Sequence, residues 1–84
     1  MARYSIELDC APFSGPRPGD LLPQVIAGTP LEGKLVADKP ESAAFGNWCW
    51  GFELPEEEYE AFREIIRQRV SALYNQGSIR YGSW

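Results

Sequence analysis

Histidine is absent from this sequence. With it go the commonest general base, the commonest transition-metal ligand and every nucleophile activated in the Ser-His-Asp or Cys-His manner. Cysteine is almost as scarce, since Cys10 and Cys49 stand far apart and form no C-x-x-C spacing. Two cysteines are too few for a secreted disulfide framework, and a structural zinc normally takes four ligands. Reduced, half-buried thiols are therefore expected, with no cofactor and no metal. No apolar run approaches the roughly 20 residues that a bilayer span requires. The segment Met1-Ala2-Arg3-Tyr4-Ser5 also leads straight into alternating residues, without the apolar block of a signal peptide. A cytoplasmic location is the expectation.

Positive charge is in short supply as well. Eight basic side chains face twelve acidic ones, for a net charge of −4. Such a surface repels phosphate backbones and disfavours direct nucleic-acid binding. If the acids cluster, the same surface attracts a basic protein. The loop Phe13 to Asp20 has neither P-loop nor G-x-G-x-x-G spacing, and its prolines remove backbone donors that a phosphate needs.

The 84 residues are 44% hydrophobic and 13% aromatic, enough for one small domain with a dense core. Arg3 to Cys10 alternates, with Tyr4, Ile6, Leu8 and Cys10 on one side and Arg3, Ser5, Glu7 and Asp9 on the other, which predicts a half-buried strand. Ala11 to Gly19 is broken by Pro12, Gly15, Pro16 and Pro18 and reads as a loop. A short helix is predicted over Leu21 to Ala27, capped by Asp20 and stopped by Gly28. A turn over 29–33 and a second strand over Lys34 to Asp38 follow. Lys39 to Gly46 is expected to be a loop, with a helical turn at Ser42 to Phe45.

Asn47 to Leu54 gives the clearest strand. Trp48, Trp50, Phe52 and Leu54 make a wholly apolar face, and Asn47, Cys49, Gly51 and Glu53 make a small or polar one. Pro55-Glu56-Glu57-Glu58 then opens a long helix, with proline in the first position and acids at the positive end of the helix dipole. Tyr59, Phe62, Ile66, Val70 and Leu73 form its apolar stripe, widened by Ala61, Ile65 and Ala72, and Gly77 ends it. Ile79 to Trp84 remains as a last strand. The order strand, helix, strand, strand, helix, strand predicts a ferredoxin-like α+β fold: a split βαβ antiparallel sheet with both helices on one face. The first and third strands then lie at the sheet centre, and Cys10 and Cys49 become neighbours whose alternation assigns them opposite faces.

Two surfaces compete as sites. Glu57, Glu60 and Glu64 on the long helix, with Glu7, Asp9 and Glu53 on the open sheet face and Trp84 as an exposed aromatic anchor, suit docking onto a basic partner protein. Arg17, Trp48 and Trp50 are the alternative, a pocket for a nucleotide-like small ligand in an oligomeric sequestering protein. The Glu7–Asp9 pair lacks a third oxygen ligand and makes a poor catalytic or cation site. The open face has no aromatic on its central strands, which argues against base stacking of the kind RNA-binding sheets use. By elimination the expected function is a non-catalytic interaction protein, monomeric or homodimeric. An inhibitor covering a basic, nucleic-acid-handling surface fits best. Phage anti-defence proteins, anti-CRISPR inhibitors among them, and toxin-immunity proteins share this size and charge, by analogy only.

Overall fold

In a computed structural model the described residues are 1–9, 17–40, 47–73 and 79–84. They form β1 (Ala2–Asp9), a 3-10 turn (Pro18–Asp20), α1 (Leu21–Ile26), β2 (Leu35–Pro40), β3 (Asn47–Leu54), a second 3-10 turn (Glu56–Glu58), α2 (Tyr59–Leu73) and β4 (Arg80–Ser83). The result is a mixed α+β architecture of two helices and one four-stranded sheet. The strands run in the order β2-β3-β1-β4, and every neighbouring pair is antiparallel. β1 and β3 thus hold the centre, as the order of the elements leads one to expect.

The alternation also decides which face the helices cover. Ile6 and Leu8 from β1 and Trp50, Phe52 and Leu54 from β3 join Leu21, Leu22, Val25 and Ile26 of α1 and Phe62, Ile66 and Val70 of α2 in one buried cluster. Burying each of these large apolar side chains contributes roughly 1.5–3 kcal/mol. The core also holds a directed contact: the Trp50 indole N–H donates to the Gly19 carbonyl at 3.1 Å and so ties the first 3-10 turn to the central strand. Of the six aromatics expected inside, Trp50, Phe52 and Phe62 are fully buried, whereas Tyr4, Trp48 and Tyr59 are half-buried at the core margin. Ala61 and Ala72 face solvent, so the α2 stripe is narrower than its sequence suggests.

Both helix starts differ from expectation in the same way. A 3-10 turn precedes each helix, so Asp20 lies inside a helical turn and makes no capping bond; it faces Arg17 at 3.5 Å instead. Pro55 likewise precedes the Glu56–Glu58 turn in extended conformation, rather than occupying the first helical position. At the other end of α1, Gly28 does act as the stop, with φ at +81°. Glycine enters that region without the steric penalty of a Cβ. Thr29 completes the ending by donating its hydroxyl to the Ile26 carbonyl at 2.6 Å.

β2 begins one residue later than expected and runs two residues further, and a bulge lies between Leu35 and Ala37. The extra residue, Val36, is pushed out to 49% exposure. It resets the alternation, so that Asp38 as well as Leu35 turns toward the helix side. Cys10, the Ser42–Phe45 turn and Gly77 lie outside the described residues. Among the described residues, no helix is long and apolar enough to cross a membrane.

Candidate functional site

The sheet acids are locally answered. Arg3 stands opposite Glu53 in the β1–β3 register and bonds it at 3.1 Å. Glu7 stands opposite Arg80 and accepts the Asn47 side-chain amide at 2.8 Å. On this face Arg3, Lys39 and Arg80 match Glu7, Asp9 and Glu53 in number, so the sheet presents mixed rather than negative charge. Sequence counting assigned these three acids to an acidic surface; for Glu7 and Glu53 the facing cation comes from another strand.

α2 divides its acids. Glu64 accepts from both the Arg67 guanidinium and the Gln68 amide, and these bonds hold its carboxyl below the usual range. Glu60 faces Arg63 at 3.9 Å, a long contact on an exposed surface. Such pairs contribute little and leave the carboxylate accessible. The Glu56–Glu58 turn is different. Its backbone lies at the amino end of α2, where the helix dipole favours carboxylates. All three side chains are exposed; Glu58 reaches Lys34 at 3.9 Å, and among the described residues Glu56 and Glu57 form no ion pair.

This turn stands between two hollows. One, of about 560 Å³, is lined by Met1, Ala2, Pro55, Glu56 and Glu57. The other, of about 430 Å³, is mainly apolar and is lined by Leu31, Phe62, Ile65 and their neighbours, with Lys34 and Glu58 at its rim. Behind the turn lies a ladder of half-buried tyrosines. Tyr4 and Tyr59 stack with centroids 4.4 Å apart, and Phe62 links them to Tyr81. The Arg63 guanidinium sits 5.7 Å from the Tyr59 centroid and 5.1 Å from that of Tyr81. Burial, together with the charges of Glu56 and Glu57 and the neighbouring Tyr59, pushes the Tyr4 hydroxyl above its ordinary value. The first-turn carboxylates therefore lie close to the ladder. Sequence reasoning placed Tyr4 and Tyr59 on apolar faces and gave Arg63 no part in a site. The available signal was the placement of Tyr59 directly after three glutamates at the start of the apolar stripe.

The alternative pocket comes together only in part. Arg17 lies over the Trp48 ring at 5.4 Å, and Asp38, turned inward by the bulge, accepts the Arg17 guanidinium at 2.6 Å and the Trp48 indole N–H at 2.8 Å. One carboxylate thus satisfies both groups that were expected to greet a ligand. Trp50 is completely buried beneath them and offers no surface. The Trp84 ring lies on the open sheet face, the face of Glu7, Asp9 and Glu53, and away from the glutamates of α2; the residue is 37% exposed. Glu57, Glu60 and Glu64 are all exposed along the outer side of the turn and α2. Comparison with protein families, with curated proteins and with solved structures gives no match to this chain.

Proposed function

We propose that this chain is a non-catalytic inhibitor that covers a basic surface of a partner protein, and that Glu56, Glu57, Glu58 and Glu60 make the contact. The observation that carries the reading is the uneven compensation of charge. The sheet acids and Glu64 have cations or amides close by, whereas the Glu56–Glu58 turn projects weakly paired carboxylates between two hollows and in front of a tyrosine ladder. Tyrosine and arginine are favoured at the energetic centre of interfaces, and carboxylates around them steer a basic surface into register. Partner arginine or lysine side chains enter the acidic hollow, and an apolar neighbour fits the second one.

The architecture is read as ferredoxin-like. That is supported by the sheet order, which from its other edge is β4-β1-β3-β2, and by both helices packing on one face. The analogy with anti-defence and immunity proteins is one of class, and no partner identity follows from it.

The test is capture of a partner from a nuclease-treated lysate of the source organism, using the parent chain and two variants. A partner that survives nuclease, elutes with salt, is lost by the E56K/E57K chain and is kept by the E7Q/D9N chain supports the reading. Equal capture by both variants sinks it.

A further inference from the structure

The sheet face turned away from the helices carries a trough that is already filled. One row of small side chains crosses all four strands: Gly82 of β4 opposite Ser5 of β1, Ser5 opposite Gly51 of β3, and Gly51 opposite Ala37 of β2. The indole of Trp84, which follows β4, lies in this row. A Cβ added to Gly51 would stand 2.6 Å from its Cδ2 and 2.9 Å from its Cε3. Real side chains do not approach so closely, so the ring rests against the Gly51 backbone in a contact that only glycine allows. The Lys39 ammonium from β2 sits 4.8 Å from the ring centroid, within cation–π range. Trp84 therefore reaches from the β4 edge across β1 to β3, where a residue of the β2 edge meets it.

Two β3 residues on this face are buried. Gly51 and Cys49 point away from the helix layer, yet both are buried, Cys49 at 8% exposure. Lys39, the residue over the indole, is also the register partner of Cys49. Beyond the Gly51 seat and the Lys39 contact the restraint is weak: the Trp84 backbone N–H reaches the Arg3 carbonyl only at 3.5 Å, and the residue as a whole is 37% exposed.

We infer that Trp84 is a lid poised to open on the sheet face that lies opposite the helices. Seated, it spans the sheet and shields the Cys49 thiol; unseated, it uncovers the small-residue trough and that thiol together, while the helix-side core stays intact. The lid is independent of the glutamate turn, so it stands or falls apart from the proposed function.

The reporter is the rate at which Cys49 reacts with the anionic disulfide reagent DTNB, followed in a chain carrying Cys10→Ser so that one thiol is read. The Cys49 thiolate attacks the reagent's disulfide, forms a mixed disulfide and releases one thionitrobenzoate. Trp84→Ala removes the lid, and Gly51→Ala keeps Trp84 but forces the ring off its seat. Urea denaturation of each variant supplies the global opening contribution for comparison. Both variants are expected to label about tenfold faster than the parent, or more, beyond any change that their lower global stability accounts for. Labelling that stays at the parent rate, or that accelerates only in step with lost global stability, overturns the lid.

Discussion

Trp50 illustrates how much a single side chain decides here. Its ring fills the core, and its N–H is the donor that the buried Gly19 carbonyl accepts. Trp50→Phe removes both volume and donor, and a loss of about 2–4 kcal/mol is expected from the cavity and the unsatisfied carbonyl. Urea denaturation checks this as a lower midpoint at unchanged slope. The tyrosines set a limit at high pH. Burial raises the Tyr81 hydroxyl above its ordinary value, with Arg63 and Arg67 working against the shift, and Tyr4 moves the same way. A group whose folded value is raised contributes stability that is complete below the unfolded value of 10.0 and is lost as pH rises through the folded value. Stability should therefore fall above about pH 10, and Tyr81→Phe should flatten part of that fall in denaturation curves recorded across the range. Glu64 has the opposite sign. Its value is lowered from 4.5 by bonds to Arg67 and Gln68, so its contribution is present above the unfolded value and lost as pH falls through the folded one. Titration of the Glu64 carboxyl by NMR should show the lowered value in the parent and its return toward 4.5 in Arg67→Ala.

At the level of elements, what the sequence made legible was whatever repeats locally. β3 begins and ends where its alternation does, because four apolar residues at even positions leave one way to face the core. β1 and the buried stripe of α2 follow for the same reason. The 3-10 turns were not legible, since aspartate or proline before an apolar run signals a helix start equally well with or without an extra turn. The β2 bulge was not legible either: five residues alternate plausibly in two registers, and only pairing with β3 selects one. Its consequence is the inward Asp38, which holds Arg17 and Trp48. Asp38→Ala should cost about 1 kcal/mol or less, because the Arg17 and Trp48 donors that lose their acceptor lie at the surface, where water can replace it. Asp38→Asn, which keeps an acceptor oxygen, should cost less, and the order of their urea midpoints checks it. Trp84 escaped the sequence because its seat is a row of small residues drawn from four strands, and register alone assembles that row.

For the whole molecule the net charge of −4 says less than its distribution. Acids that looked alike in the sequence part company once strand register and helical spacing supply counter-ions. Glu7 and Glu53 meet partners across the sheet and Glu64 meets one along α2, while the Glu56–Glu58 turn faces solvent and, among the described residues, pairs with Lys34 alone. That asymmetry gives the molecule an acidic end, and the proposed contact depends on it. The most direct measurement is the affinity of the parent chain and of Glu56→Lys/Glu57→Lys for the captured partner across an ionic-strength series. The account predicts that parent affinity falls steeply as salt screens the contact and that the reversed chain binds weakly with a shallow salt dependence. Affinity that ignores salt, or that the charge reversal leaves intact, would contradict it.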